Sequence, residues 1–276
     1  LRPAGSRVRQ DRVVSSGEPL VQRERPAVAR PLVILPTYNE SENIAAIISA
    51  AGAALPHAHL LVIDDGSPDG TADLATTAGA ALGDGRVTVL RRPAKSGLGS
   101  AYRDGFRWGI DRGHDALIEM DSDFQHDPAA LPELLAALSA GADAVIGSRY
   151  VAGGSTPAAW PRHRLLLSRW ANRYAGAMLG LGVRDATAGF RAYRADLLDR
   201  IDLDAVRADG YGFQVEMTYE TRLAGGRIVE VPIRFGDRTL GTSKMSVRIV
   251  VEALVLVTVW GVRHRIRRGR VSSASS

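Results

Sequence analysis

With 276 residues, 45% hydrophobic and 24% charged, the chain has enough apolar material for a sizeable core and is not globally disordered. It contains no cysteine, which excludes disulfides, zinc–thiolate sites and thiol nucleophiles, so any catalytic metal must be held by oxygen or nitrogen. The net charge of +5 gathers at the ends, with seven Arg against three acids in residues 1–30 and five Arg against none in 263–270; the net acidic body argues against a nucleic-acid partner.

In chain order, residues 1–30 read as a disordered basic leader without the apolar stretch of a secretory signal. Leu32-Val33-Ile34-Leu35 is an apolar run closed by Pro36, which signals a buried strand. A helix is predicted over Glu40–Ala54, with Ile44, Ile47 and Ile48 on one face and Asn39 or Ser41 as its cap. A second strand, Leu60–Ile63, stops at Asp64-Asp65-Gly66-Ser67, and a helix follows over Thr71–Ala81. Val87–Leu90 is a third strand, and the Gly-rich loop Lys95–Ser100 leads into a helix through Trp108. That loop lacks the glycine spacing of a dinucleotide fingerprint, since Tyr102 stands where the third Gly is needed, and it lacks the phosphate-loop spacing too. Ala116–Met120 and Ala144–Gly147 are further strands around a helix over Leu131–Ala140. Beyond them come one or two amphipathic helices over Arg162–Leu181, a helix over Gly210–Ala224, and a strand over Ile228–Phe235 that Pro232 assigns to a sheet edge.

Strands alternating with helices predict an α/β fold, a mostly parallel central sheet with helices on both faces. Ligands in such sheets bind beyond the carboxyl ends of the strands, where the polar clusters stand. Asp121-Ser122-Asp123 is the sharpest of these: two carboxylates two residues apart after an apolar strand suit Mg²⁺ or Mn²⁺, with Gln125 and His126 close behind. Asp64–Gly70 suits a tight turn and also a carboxylate that receives a base or ribose. Pro36–Glu40 is open between a helix start and a nucleoside contact through Tyr38 and Glu40. The segment Arg234–Lys244 fits a solvated basic loop or a loop that closes over a diphosphate. Val247–Val262 is nearly all apolar, short of the ~20 residues of a spanning helix, and fits either a packing helix or an interfacial one whose following Arg cluster meets anionic headgroups.

Taken together and in order, these motifs resemble the polyprenol-phosphate mannose synthases, also called dolichyl-phosphate mannosyltransferases, within the family 2 glycosyltransferases of GT-A fold. The resemblance runs from about Pro31 to Trp260. It rests on Pro-Thr-Tyr-Asn-Glu at 36–40, Asp-Asp-Gly-Ser-Pro-Asp-Gly-Thr at 64–71, Gly-Leu-Gly-Ser-Ala-Tyr at 97–102, Met-Asp-Ser-Asp-Phe-Gln-His at 120–126, Gly-Ser-Arg-Tyr-Val at 147–151, Asp-Ala-Thr-Ala-Gly-Phe-Arg at 185–191 and Gly-Tyr-Gly-Phe-Gln-Val-Glu at 210–216.

The resemblance implies inverting transfer of mannose from GDP-mannose to a polyprenyl phosphate, with Mg²⁺ or Mn²⁺. By position it implies that Pro36, Tyr38, Glu40, Ile63 and Asp65 line the guanosine pocket. Asp121, Asp123 and Gln125 would hold the metal, and Ser122 would touch the donor through its backbone. Arg149 and Arg164 would meet the acceptor phosphate or the donor sugar, with Asp185 near the acceptor, and Arg238 and Lys244 would grip the donor. It further implies a peripheral protein at the cytoplasmic face of a membrane, with a membrane-protein partner plausible. The organisation expected is a leader over 1–30, a catalytic domain over 31–245, an interfacial or packing helix over 246–262 and a basic disordered tail over 263–276. Some members carry transmembrane helices after the catalytic domain, which these residues do not contain, and many carry a basic residue at the position of Gly212. The alternatives are a transferase of glucose or another sugar from a UDP-sugar, with the same fold and metal site, and a non-catalytic nucleotide- or lipid-binding subunit.

Overall fold

The structure is a computed structural model that describes residues 27–83, 85–236 and 254–262. Its centre is a seven-stranded sheet of order β3-β2-β1-β4-β6-β5-β7. The strands are β1 Pro31–Thr37, β2 His59–Asp64, β3 Val87–Arg91, β4 Ala116–Glu119, β5 Ala144–Ser148, β6 Arg191–Arg194 and β7 Ile228–Pro232. β1 pairs in parallel with β2 and β4, β2 with β3, and β5 with β7, whereas β6 runs antiparallel between β4 and β5.

The apolar runs become strands because helices cover both faces, so both sides of each run find a core. Val33, Leu35, Leu60, Val62, Ala116 and Ile118 point to one core, shared with helices α1 (Ile44–Ala54) and α4 (Leu131–Ser139). Their alternating neighbours Leu32, Ile34, Leu61, Ile63 and Leu117 point to the other, under α3 (Leu98–Asp111) and α7 (Gly210–Leu223). α3 lies close on the sheet because it carries glycines there: a Cβ on Gly105 would stand 2.7 Å from Ile34, and one on Gly109 2.6 Å from Leu32. α2 (Thr71–Leu82) packs beside α1, the short α6 is Ala195–Leu198, and α5 is one continuous helix, Arg162–Leu179. A helix over 254–262, α8, contributes Val257 and Trp260 to a third cluster with Ala175, Leu179 and Val215.

Several expectations shift. The helix predicted from Glu40 starts at Ile44, because Asn39 adopts φ +57° and 40–43 form a turn. Asn39 and Ser41 therefore do not cap it; Asn43 holds the N-cap position without a side-chain bond. The Gly-rich segment is already helical from Leu98. The last strand ends at Pro232 and does lie at the sheet edge. The antiparallel β6 was not foreseen, since Arg-Ala-Tyr-Arg is no apolar run. Its Arg191 is fully buried, donating to the Ala186 and Ala188 carbonyls (both 2.6 Å) and to Thr218 Oγ1 (2.8 Å). The expected leader up to residue 26, the segment 246–253 and the tail 263–276 lie outside the described residues.

Candidate active site

Beyond the carboxyl ends of β1, β2, β4 and β5 opens a cleft of about 560 Å³. Pro36, Tyr38, Glu40, Asp65, Asp121, Ser122, Asp123, Gln125, Arg149 and Arg164 all line it. Two expected residues do not. Ile63 is fully buried in the core beneath α3, and Asp185 lies with no exposed surface behind Arg149. Arg238 and Lys244 fall outside the described residues.

The acidic loop after β4 is fixed from several sides. Ser122 Oγ donates to the Pro36 carbonyl at the end of β1 (3.2 Å). Phe124 takes the left-handed conformation at φ +61°, which turns the chain so that the Gln125 N–H reaches Asp123 Oδ1 (3.1 Å). The Asp121 N–H donates to His126 Nδ1 (3.2 Å), and the Tyr102 hydroxyl donates to Asp121 Oδ1 (3.2 Å). Burial lowers the pKa of His126, so its ring stays neutral and Nδ1 remains an acceptor. Burial and the Asp121 charge push Tyr102 far up, keeping its proton on. Below the loop, burial raises Glu119 to about 8 even though Gln214 Nε2 donates to it at 2.7 Å. A neutral Glu119 leaves the loop's charge to Asp121 and Asp123. The Asp121 side chain keeps 35% exposure, whereas Asp123, which also lines the cleft, is buried. The Gln125 amide donates to the Gly236 carbonyl (3.4 Å).

The end of β2 and the turn after it divide three acids between two tasks. Asp64 accepts from Thr37 Oγ1 (3.0 Å) and from Ser67 N–H and Oγ (2.9 and 2.6 Å), and so closes the turn. Asp69 accepts from Thr71 and Ser41; burial opposes its charge, but these bonds together bring its pKa to about 2. Asp65 alone faces the cleft, paired with Arg92 Nη1 at 3.1 Å and receiving the Ser96 N–H. Beside it the Lys95 ammonium stands 4.3 Å above the Tyr38 ring.

Another part of the cleft lining is cationic. Arg149 Nε and Nη2 donate to the two oxygens of Asp185 (2.8 and 2.6 Å), and Nη2 also donates to Thr187 Oγ1 (2.9 Å). Burial works against both charges, but the pairing holds the Asp185 pKa below the usual carboxylate value and keeps Arg149 protonated. Asp185 is in turn fixed by its N–H to Glu230 (3.0 Å) on β7. Arg164, in the first turn of α5, lies with its guanidinium carbon 4.1 Å from the Trp160 ring centre.

Among the cleft-lining residues that sequence reasoning did not single out are Lys95, Trp160, Tyr211 and Gln214. The signal for Trp160 was its place just before Pro161 at the start of a basic helix; Lys95 stood inside a loop excluded only as a nucleotide fingerprint.

Residues 32–202 match the family described as Glycosyl transferase family 2. Over 251 residues the chain is 51% identical to a polyprenol monophosphomannose synthase of Mycolicibacterium smegmatis, covering 90% of this chain and 94% of that protein. Over 236 residues it is 53% identical to an undecaprenyl-phosphate mannosyltransferase of Micrococcus luteus, covering 86% and 96%. Among solved structures, glucosyl-3-phosphoglycerate synthase of Mycobacterium tuberculosis with phosphoglyceric acid superposes with a TM-score of 0.59 at 21% identity, covering 83% of this chain and 79% of that one. The same enzyme with Mn²⁺, UDP and glucosyl-3-phosphoglycerate gives 0.58 at 21%, covering 86% and 80%. At that identity the likeness speaks for the fold alone, the mostly parallel sheet flanked by helices described above.

Proposed function

The chain belongs to glycosyl transferase family 2, and from that premise we propose that it moves mannose from GDP-mannose onto a polyprenyl phosphate, giving polyprenyl phosphate mannose with inversion. One observation carries the reading: Asp121, Asp123, Arg149 and Arg164 all line one cleft, carboxylates for a metal-held diphosphate and cations for an anionic acceptor. The names of the two relatives supply the sugar and the acceptor class. We assign catalysis to residues 31–245.

A divalent ion, Mg²⁺ or Mn²⁺, fits the donor set. Asp121 and Asp123 offer hard oxygens, and such ions take one or two carboxylates and complete their shell with substrate phosphates and water. When bound, the ion neutralises charge on the departing diphosphate. Gln125 would join that set through its amide oxygen, since it is Nε2 that donates to the Gly236 carbonyl. Arg238 and Lys244, outside the described residues, would add cations to the leaving group.

Tyr38, Glu40 and Asp65 would receive the guanosine: the ring stacks on the base, and the carboxylates accept its N–H and ribose O–H groups. Pro36 shapes that wall, and Ser122 offers its backbone to the donor. The acceptor phosphate has a second pKa of about 6 and is ionised near neutrality, so no strong base is needed. Asp185, fully engaged by Arg149, is a positioning residue in this scheme and not a base. Arg149 and Arg164 align the acceptor oxygen opposite the leaving group, and alignment of this kind is worth roughly 7–11 kcal/mol in favourable systems.

The lipid chain of the acceptor calls for a membrane surface. No helix among the described residues is long and apolar enough to cross a membrane. α5 exposes Leu166 (66%), Leu167 (48%) and Trp170 (50%), flanked by exposed Arg162, Arg169 and Arg173. α8 runs beside it, its Thr258 Oγ1 2.7 Å from the Tyr174 hydroxyl, and exposes Val255, Val259 and Val262. Apolar side chains ringed by arginine suit an anionic bilayer interface. Arg164 of α5 and Leu256 of α8 both border the cleft, so a lipid lying on this face would deliver its phosphate there. The test offers GDP-mannose, UDP-glucose and UDP-N-acetylglucosamine separately with a short polyprenyl phosphate and either metal. Glycolipid from GDP-mannose alone is expected; glycolipid from a UDP-sugar overturns the donor assignment.

A further inference from the structure

The two cleft arginines differ in how their charge is held. Arg149 is neutralised by Asp185 and spends Nε and Nη2 on that carboxylate. Arg164 has no carboxylate partner among the described residues, and its Nε is buried without a hydrogen-bond partner there. What orients it is the Trp160 indole at 4.1 Å. A guanidinium over an indole face is attracted by the ring quadrupole without having its charge cancelled, and its N–H fork stays free to grip an anion.

The same indole reaches further. The Arg149 guanidinium lies 6.0 Å from its centre. Its edge meets Phe235 at 6.0 Å with planes 75° apart, and Phe235 packs on His126 at 5.4 Å. His126 is the side chain that accepts the Asp121 N–H. Trp160 therefore stands at the joint between the acidic loop and the cationic wall, on a segment fixed by its own N–H to the Pro157 carbonyl (3.1 Å) and by Pro161 at the start of α5.

We infer that Trp160 is a positioning residue for the acceptor: its indole presents Arg164, a cleft cation without a carboxylate partner among the described residues, to the phosphate of the incoming lipid. The inference rests on the acceptor reading above. It makes Trp160 matter to the acceptor and not to the nucleotide sugar, and it makes Trp160 matter only through Arg164.

The experiment is a double-mutant cycle in steady-state kinetics with GDP-mannose and a short polyprenyl phosphate, using Trp160→Leu, Trp160→Phe, Arg164→Ala and Trp160→Leu/Arg164→Ala. Trp160→Leu should raise the acceptor KM about tenfold, the size expected of a half-buried cation–π contact, while the donor KM changes less than about twofold. Trp160→Phe, which keeps a ring face, should recover most of the loss. The double variant should be no worse than Arg164→Ala alone. Thermal melting of each variant separates misfolding from misplacement, and Trp160→Phe keeps the test intact if Trp160→Leu melts early. An unchanged acceptor KM, a parallel rise in donor KM, or losses that multiply in the double variant overturn the role of Trp160 while the acceptor reading stands. A wild-type protein that makes no glycolipid overturns the acceptor reading and this inference with it.

Discussion

Asp185 grips Arg149 at three points: two hydrogen bonds to the guanidinium at 2.8 and 2.6 Å and one to the Arg149 backbone N–H at 3.0 Å, with both side chains buried. The pair ties the end of β5 to the loop before β6 and sets the floor of the cationic wall.

Removing one partner leaves the other charge buried and unpaired. Asp185→Ala should cost about 3–5 kcal/mol in urea denaturation, well above the effect of an exposed acid. The pH dependence follows from the lowered pKa of Asp185. A group whose folded pKa is depressed adds stability that is present above its unfolded value, near 3.8, and is lost as pH falls through the folded value. The stability gap between wild type and Asp185→Asn should therefore be flat from neutral pH down to the carboxylate range and shrink only in stronger acid.

Gly97 sits where Asp209 needs room. Its φ is +93°, and an added Cβ would stand 1.9 Å from Asp209 Oδ2. Asp209 both caps α7 and accepts the Gly99 N–H at 2.7 Å, so one carboxylate closes the starts of two helices. Gly97→Ala should destabilise by about 1–3 kcal/mol. Gly176→Ala, within α5 with nothing within 4 Å of the new Cβ, should instead be neutral or stabilise by about 0.5–1 kcal/mol. Chemical denaturation of the two variants side by side checks the contrast.

The sheet was legible because its apolar runs are covered on both faces, and the cleft followed from where those runs stop. Asp121, Asp123, Tyr38, Asp65, Arg149 and Arg164 come together as their motifs implied. What stayed hidden has physical causes. β6 buries Arg191 against carbonyls that no local pattern announces. Asp64 and Asp65 are neighbours of one type, and only the fold turns the first into the loop and the second toward the cleft. Trp160 reads as an isolated aromatic until Arg164 and Phe235 converge on it.

Asp123→Ala should leave the fold intact and abolish metal-dependent turnover, since the remaining Asp121 offers one carboxylate in place of two. Glycolipid formation across a Mg²⁺ and Mn²⁺ titration measures this. Near-normal activity in the variant would remove Asp123 from the metal set.

The exposed face of α5 predicts a separation of two activities. Leu166→Glu together with Trp170→Glu should weaken sedimentation with anionic vesicles severalfold, because both the apolar area and the charge complementarity are lost. Turnover of a short, water-soluble acceptor should be unchanged. Equal vesicle binding by the variant would move the membrane contact elsewhere on the molecule.

The most direct measurement gives the protein GDP-mannose and divalent metal with either a polyprenyl phosphate or the matching polyprenol that lacks the phosphate, and identifies the lipid product by mass. The account predicts a mannosyl phospholipid from the phosphate, lost with chelator, and nothing from the alcohol. Mannose on the free alcohol, or no product from the phosphate, would contradict it.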